Sequence, residues 1–213
     1  MNEPGEPEKE IIMRPEEFLR ILTQAAHLKL TMRHCYTAGD RKESVADHSW
    51  RIALMAMLLT GVDEYRELDM DRVIRMCLIH DLGESFTGDI PTFEKTDQDT
   101  EAEDDLFLNW VMTFPEPQRT EWTGLLEEME ALNTREAKLY KALDKLEALI
   151  SHNESDLSTW LPLEYDLQLT YGQENMQFSE YLKAFRALID AWTIDKIEKE
   201  SVKKAETAGE EPV

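Results

Sequence analysis

The stretch LIHDLGESFTGDIP, residues 78–91, decides how this 213-residue chain is understood. An apolar run ends in His80 and Asp81, and the turn-forming residues Gly83 and Pro91 follow. A carboxylate without a partner is costly to bury. The histidine and the aspartate are therefore either paired with neighbouring residues or bound to a ligand.

Apolar residues recur every three or four positions on both sides of this stretch, as in amphipathic helices. Upstream, Ser44 and Asp47 have the spacing of a capping box, so a helix begins there. The predicted helices cover about 15–30, 44–59, 70–81 and 100–113, then Pro117 to Leu132 and 134–150, and a long final helix carries Tyr181, Phe185, Leu188 and Trp192 in one stripe.

No strand pattern of useful length and no internal repeat is visible. The sequence therefore predicts an all-α fold of about six to eight helices. The helices at 44–59 and 70–81 are apolar on nearly every side, so we expect them at the centre.

One domain is predicted for residues 15–200, because no Pro/Gly/Ser-rich linker separates two segments that could fold alone. The acidic ends, residues 1–14 and 201–213, have the composition of solvated, mobile termini. Residues 151–176 lack a clean period and contain a proline and a glycine, which predicts an ordered but irregular connection.

The chain carries 23 Lys and Arg against 45 Asp and Glu, a formal charge of −22. A field of that sign repels polyphosphate backbones and anionic membranes, so neither nucleic acid nor a membrane is expected as a partner. Part of the acid lies in TDQDTEAEDD, residues 96–105. This run is either a solvated loop and helix start or an acidic docking surface.

The two cysteines, Cys35 and Cys77, are too few and too far apart for a disulfide framework or a zinc ribbon, and they suit a reducing compartment. No apolar run approaches the roughly 18 residues of a membrane span. The first ten positions are rich in glutamate and proline and do not resemble a signal peptide. The sequence therefore predicts a cytoplasmic protein.

Three polar side chains point into apolar surroundings when the two central helices are drawn on a helical wheel. His48 shares a face with Ile52, and His80 and Asp81 lie beside Cys77. A lone inward histidine is more often a satisfied core residue than a ligand. Two imidazoles and a carboxylate that converge at low dielectric are compensated best by a divalent cation, so a metal site is the better interpretation.

A fourth ligand does not follow from spacing alone. Asp144, in KALDKLEAL, falls past the edge of an apolar stripe and close to Lys141 and Ala148 on the wheel. A solvated helical face explains its position equally well.

The order His48, then His80 and Asp81, then Asp144 resembles the HD-domain superfamily of metal-dependent phosphohydrolases. The stretches RKESVADHSWRIALMAMLL and HDLGESFTGDIPT are similar, more closely, to its YfbR-like 5'-deoxynucleotidase branch. The resemblance covers roughly residues 18–150. It implies an HD-domain helical bundle.

Carried over by position, the resemblance implies a ligand set for one divalent metal, formed by His48, His80, Asp81 and Asp144. It implies Glu84 and Asp89 as acid/base carboxylates and Arg33 as a contact to the substrate phosphate. Two imidazoles and two carboxylates suit Mn²⁺, Co²⁺, Fe²⁺ or Zn²⁺, with Mg²⁺ as a further candidate. Such a set leaves room for a water and a phosphate oxygen.

Three of the candidate side chains also have local interpretations. Gly83 is expected to break the helix after Asp81, so that the Glu84 carboxylate turns back toward the metal; a surface acid at a helix C-terminus would oppose the dipole. Asp89 by itself resembles an ordinary turn aspartate. Arg41 either helps to hold a phosphate or is a solvated charge.

His34 departs from the nucleotidase pattern, in which a tryptophan follows the phosphate-contacting arginine. That tryptophan belongs to sugar discrimination in the family. An imidazole is smaller and can donate or accept a hydrogen bond, so we expect His34 to touch the substrate with little preference for 2'-deoxyribose.

The sequence thus predicts a metal-dependent phosphomonoesterase that hydrolyses a small phosphorylated metabolite, foremost a (deoxy)nucleoside 5'-monophosphate. Two alternatives stay open: a phosphodiesterase or nucleoside triphosphate hydrolase on the same scaffold, and a non-catalytic, metal-stabilised binding module. Glu84 and Asp89 count against the module, because a structural site needs neither. Relatives are often homodimers, and the apolar stripe of the last helix serves either such an interface or the core.

Overall fold

The computed structural model of the protein describes residues 13–39 and 41–209, with side chains as far as residue 202. Within this part, eight helices of at least seven residues confirm the all-α prediction. The α-helices are α1 (Pro15–Ala25), α2 (Val45–Leu59), α3 (Met70–Ile79), the single turn α4 (Glu84–Thr87), α5 (Asp97–Val111), α6 (Gln118–Ala131), α7 (Arg135–Glu154), α8 (Glu164–Thr170) and α9 (Glu180–Gly209).

The ends of the chain were expected to be mobile tails. Residues 1–12 and 210–213 lie outside the described residues. Helix α9 continues to Gly209, past the boundary expected near residue 200.

Side-chain caps set the start of the helices that carry or flank the site. Ser44 Oγ accepts the Asp47 N–H at 3.2 Å, and Asp47 Oδ2 accepts the Ser44 N–H at 2.9 Å, which is the capping box predicted for α2. Thr96 and Asp99 repeat this arrangement, so α5 begins at Asp97, earlier than its apolar pattern predicts. The acidic run 96–105 is therefore mostly the first half of a helix.

Helices α2, α3 and α7 pack against one another at the centre of the core. Their most buried apolar side chains are Val45, Ile52, Ala56, Val73, Met76, Cys77, Leu139, Leu143 and Leu146. The two helices expected at the centre are therefore central. One face of α2 differs from the expectation, because Trp50 and Leu58 are exposed there.

A short antiparallel hairpin, β1 (Met32–Tyr36) and β2 (Lys42–Ser44), precedes α2. The sequence pattern does not predict it, because segments of five and three residues are too short to show alternation. Strand β1 packs against α7. The hairpin thereby brings Arg33 and His34 next to the helix that carries Asp144.

The connection over residues 151–176 is ordered and partly helical. Helix α7 continues into it as far as Glu154, a 3₁₀ turn covers Leu157–Thr159, and α8 and a second 3₁₀ turn, Gln173–Met176, follow. This segment covers one end of α7 and supplies part of the cavity described below.

Helix α9 buries a different face from its apolar stripe. Leu182, Ile189 and Thr193 are buried, whereas Leu188 is 69% exposed and Trp192 is 40% exposed. The stripe is therefore mostly exposed, and of its members Phe185 packs against the core. No helix within the described residues combines the length and the apolar character needed to cross a membrane.

Candidate active site

The Nε2 atoms of His48 and His80 face the same region at the centre of the molecule. His48, in α2, is fully buried, and its Nδ1 is hydrogen-bonded to Glu147. His80 directly follows α3, and its Nδ1 donates to the Cys77 carbonyl oxygen at 3.0 Å. Because carbonyl and carboxylate oxygens accept, both rings keep a proton on Nδ1, and in the neutral form of each ring the lone pair lies on Nε2. Neither Nε2 has a hydrogen-bond partner among the described residues.

Two aspartates face these nitrogens. Asp81 Oδ2 lies 3.0 Å from His80 Nε2 and 3.6 Å from His48 Nε2. Asp144 Oδ1, from α7, lies 3.3 Å and 3.8 Å from the same two nitrogens, of His48 and His80 respectively. The four residues that the resemblance nominates as ligands thus come together from α2, the end of α3 and α7.

This donor set fits a divalent cation, which would take both lone pairs and balance both carboxylates. Burial alone would raise the pKa of Asp81 and Asp144. At Asp81 the neighbouring imidazoles of His80 and His48 outweigh burial and hold the pKa well below its ordinary range. At Asp144 the lysines Lys145 and Lys141 chiefly do the same. Both carboxyls are therefore ionised and able to act as ligands at neutral pH.

Asp81 and Asp144 line a cavity of about 330 Å³. Its walls come from β1, from the segment between α3 and α5, and from α7 and α8. Four basic side chains lie in its lining: Arg33, Lys95, Lys141 and Lys145. A concave site of this size that combines cations with apolar walls suits a small anionic molecule.

Glu84 and Asp89 line the same cavity. Glu84 is 6% exposed, and burial together with Asp81, Asp89 and Glu103 raises its pKa to about 10. Burial also raises the pKa of Asp89, with Asp81 adding to the effect against the attraction of Arg33. The cavity therefore contains two carboxyls that hold protons more tightly than exposed acids do, which is a common property of proton donors in active sites.

Gly83 does not break helix α3, contrary to the expectation from the sequence. Helix α3 already ends at Ile79, and Gly83 has an ordinary φ of −57°. A Cβ at this position would lie 2.6 Å from Cγ of Glu103. The glycine is thus needed for close packing of α5 against the turn that carries Glu84.

The three predicted substrate-contacting residues do not all reach the cavity. Arg33 and His34 line it, and Arg33 Nε lies 3.2 Å from Glu43 Oε2. Arg41 lies outside the lining, is 59% exposed at its side chain and pairs with Asp47 at 2.8 Å. Its position favours the interpretation as a solvated charge.

The sequence profile of the HD domain family matches residues 25–186. The chain belongs to the HD domain family. The human protein named 5'-deoxynucleotidase HDDC2 is 33% identical over 140 residues, which cover 65% of this chain and 66% of that protein, just under two thirds of its length. The protein of the same name from Dictyostelium discoideum is 32% identical over 146 residues, covering 65% of this chain and 75% of that one.

A solved structure agrees with this assignment of the HD domain. A protein from Magnetospirillum magnetotacticum described as a predicted metal-dependent phosphohydrolase has a TM-score of 0.70 and 28% sequence identity, covering 84% of this chain and 94% of that chain. The resemblance inferred from the sequence motifs is therefore confirmed. Family membership and the donor set together imply a divalent metal.

Several side chains of this HD-domain cavity escaped the sequence analysis. Glu164, in α8, is 4% exposed, with Oε1 at 3.2 Å from His34 Nε2 and Oε2 at 3.4 Å from His152 Nε2. His152 stacks on Trp160, with ring centroids 4.5 Å apart. The connection that carries these residues has no periodic pattern, so no sequence signal could have placed them.

Other missed residues did carry a signal. Lys141 and Glu147 lie three positions on either side of Asp144 and therefore share its helical face. Glu147 is fully buried on α7. An acid with that spacing from Asp144 indicates a polar face directed at the site.

Proposed function

We propose that this HD domain is a metal-dependent phosphomonoesterase that releases inorganic phosphate from a small phosphorylated metabolite, foremost a (deoxy)nucleoside 5'-monophosphate. The observation that carries the proposal is the pair of buried Nε2 atoms, without hydrogen-bond partners, that face Asp81 and Asp144 at the edge of a cavity lined by four basic side chains. A structural metal site is closed by its protein ligands and has no use for such a cavity. The relatives named as 5'-deoxynucleotidases support the same substrate class.

The metal would be held by His48, His80, Asp81 and Asp144. When bound, such an ion neutralises phosphate charge and lowers the pKa of a coordinated water. Mn²⁺, Co²⁺, Fe²⁺ and Zn²⁺ are the proposed ions, because imidazole nitrogens suit these metals better than Mg²⁺, which prefers oxygen ligands.

Glu84 and Asp89 are proposed to move the protons. In hydrolysis the water oxygen bonds to phosphorus while the bond from phosphorus to the 5'-oxygen breaks. The water loses a proton, and the leaving 5'-oxygen gains one. One carboxyl accepts the first proton in its ionised form, and the other supplies the second in its protonated form.

Arg33 and the lysines of the cavity are proposed to bind the phosphate oxygens. A guanidinium presents a planar fork of N–H donors that matches a phosphate, and lysine adds compact charge. Lys141 Nζ lies 3.2 Å and Lys145 Nζ lies 3.4 Å from Asp144 Oδ2, so both cations lie beside the proposed metal ligand. The phosphate would thus lie between Arg33 and Asp144.

His34 is proposed to contact the sugar. Glu164 is ionised, because His152, the Leu161 N–H and His34 outweigh burial and hold its pKa below the ordinary value. His34 Nε2 lies 3.2 Å from Glu164 Oε1, and in the tautomer with the proton on Nε2 the ring would offer Nδ1 as an acceptor to a ribose hydroxyl. Ribonucleotides and deoxyribonucleotides should therefore be used at similar rates.

The proposed compartment is the cytoplasm. Cys35 and Cys77 are both free and buried. Cys35 Sγ donates to Glu43 Oε2 at 3.1 Å, so oxidation of this thiol would remove a contact next to Arg33. A reducing environment preserves that arrangement.

A phosphate-release screen tests the proposed function. Nucleoside monophosphates, nucleoside triphosphates, cyclic dinucleotides and sugar phosphates are each offered with Mn²⁺, Co²⁺, Fe²⁺, Zn²⁺ and Mg²⁺. We expect the highest kcat/KM with nucleoside 5'-monophosphates. A preference for triphosphates or cyclic dinucleotides would favour the second enzyme class, and no release from any compound would favour the binding module.

A further inference from the structure

A second group of buried charges lies behind His48, outside the lining of the cavity. It consists of Glu43, Arg51, Glu147 and Ser151, here called the buried network. Glu43 and Glu147 are 4% and 0% exposed. Ser151 Oγ lies 2.6 Å from Glu43 Oε1 and 2.9 Å from Glu147 Oε1, and its single proton serves one of these carboxylates at a time. The buried network therefore joins β2 to α2 and α7.

The two acids of the buried network each touch a residue of the site. Glu147 Oε2 accepts the Nδ1–H of His48. Glu43 Oε2 lies 3.2 Å from Arg33 Nε. One connected set of hydrogen bonds and ion pairs thus extends from a proposed metal ligand to the proposed phosphate-binding arginine.

The buried network is better explained as a salt-bridge cluster than as a metal site. Ligand atoms of Glu43, His48 and Glu147 lie within 4.8 Å of one another, a spacing that a cation could use. Guanidinium groups already take this place: Arg51 Nε lies 2.6 Å from Glu147 Oε1, and Arg33 pairs with Glu43. Two arginines balance two carboxylates, so an added cation would be left uncompensated in the interior.

We propose that Glu147 is a positioning residue for the metal ligand His48 and that Glu43 is a positioning residue for Arg33. Both roles rest on the proposed function of the site. By accepting the Nδ1–H, Glu147 keeps the lone pair of His48 on Nε2, orients the ring and increases its basicity as a ligand. By pairing with Nε, Glu43 orients the guanidinium so that its terminal NH₂ groups can bind phosphate.

Metal titration of metal-free protein tests the role of Glu147 without any activity assay. We expect Glu147→Gln to weaken Co²⁺ or Mn²⁺ affinity about 10- to 100-fold, because a neutral amide is a poorer acceptor for the ligand histidine. The matched control is Glu154→Gln on the same helix. Glu154 also pairs with Arg51, at 2.6 Å, but it is exposed, and the hydrogen bond of His48 goes to Glu147 instead. Its variant should bind metal as the wild type does.

Steady-state kinetics test the role of Glu43. Glu43→Gln should raise KM for a phosphomonoester about tenfold while metal affinity stays at the wild-type level, because the charge that orients Arg33 is lost and His48 keeps its partner. A merely structural defect would lower the melting temperature and would not raise KM while leaving metal affinity unchanged.

The outcomes separate this inference from the proposed function. If the wild type binds no divalent metal, the proposed function and the inference both fail. If the wild type binds metal and Glu147→Gln binds it equally well, only the role of Glu147 is refuted. If circular dichroism shows that Glu147→Gln does not fold, Ser151→Ala, which removes one hydroxyl, takes its place. We expect Ser151→Ala to weaken metal affinity by roughly two- to tenfold. An unchanged affinity in that variant refutes the inference.

Discussion

Asp144 Oδ1 lies 3.3 Å from His48 Nε2, across the contact between α7 and α2. Its other oxygen, Oδ2, faces Lys141 and Lys145. One oxygen of this carboxylate thus faces the imidazoles, and the other faces two cations. This division keeps the carboxylate ionised and leaves Oδ1 available to a metal, which makes Asp144 the most informative of the proposed ligands to change.

Asp144→Asn should remove most of the bound metal. The amide keeps the shape of the side chain but lacks the anionic oxygen, and it leaves Lys141 and Lys145 without their counter-charge. We expect metal affinity to fall about 10- to 100-fold or more, measured by elemental analysis after dialysis. Asp63→Asn, at a side chain that is 89% exposed, is the matched control and should retain its metal. Equal metal content in the two variants would remove Asp144 from the ligand set.

Glu84→Gln should separate catalysis from folding and metal binding. Glutamine keeps the size of a buried side chain that lies among Asp81, Asp89 and Glu103, and it can neither accept nor donate the reacting proton. We expect phosphate release to fall on the order of 10²-fold or more, while metal content is unchanged and the melting temperature is equal or higher. The measurements are kcat, elemental analysis and thermal unfolding. Turnover at the wild-type level would exclude Glu84 from proton transfer.

His34→Trp should increase the preference for deoxyribonucleotides. In the wild type the ratio of kcat/KM for dAMP over AMP should be near unity, because the imidazole leaves room for a 2'-hydroxyl and can pair with it. An indole is larger and leaves that hydroxyl without a partner, which shifts discrimination by roughly 1 to 3 kcal/mol. The comparison uses dAMP with AMP and dCMP with CMP under one metal.

A strong preference for the deoxy compounds in the wild type would show that sugar selection depends on a residue other than His34. Glu164→Gln is the matched variant for the charge that faces His34, since it keeps the size of the side chain and removes only that charge. This variant should alter use of the ribonucleotides more than use of the deoxyribonucleotides.

Gly83→Ala should destabilise the protein, whereas Gly124→Ala should not. The added Cβ at position 83 would lie 2.6 Å from Cγ of Glu103, a buried side chain that is held by Lys95. We expect a cost of about 1 to 3 kcal/mol in the free energy of unfolding, as for overpacked cores. At Gly124, inside α6, no atom lies within 4 Å of an added Cβ, and alanine should stabilise the helix by up to about 1 kcal/mol. Denaturant unfolding measures both, and equal stability of the two variants would contradict the close packing inferred at Gly83.

Much of the candidate site could be predicted from local patterns and the motif resemblance. His48, His80 and Asp81 face the interior because the apolar periodicity of α2 and α3 determines which side of each helix is buried. Asp144 was ambiguous on its own helix, because the face it occupies is polar and is buried only where α7 packs against α2 and the end of α3. Periodicity records the composition of a face but not what packs against it.

The sequence by itself determined the all-α fold, the capped start of α2 and the inward direction of His48, because these depend on interactions within a few residues along the chain. Only the tertiary structure decided that Glu147 is hydrogen-bonded to His48, that Glu164 faces His34, that Glu103 packs on Gly83 and that Arg41 lies outside the cavity. These relationships join segments far apart in sequence. Their distances follow from how whole helices pack, and helix packing depends on the shape and burial of many side chains at once rather than on any local pattern.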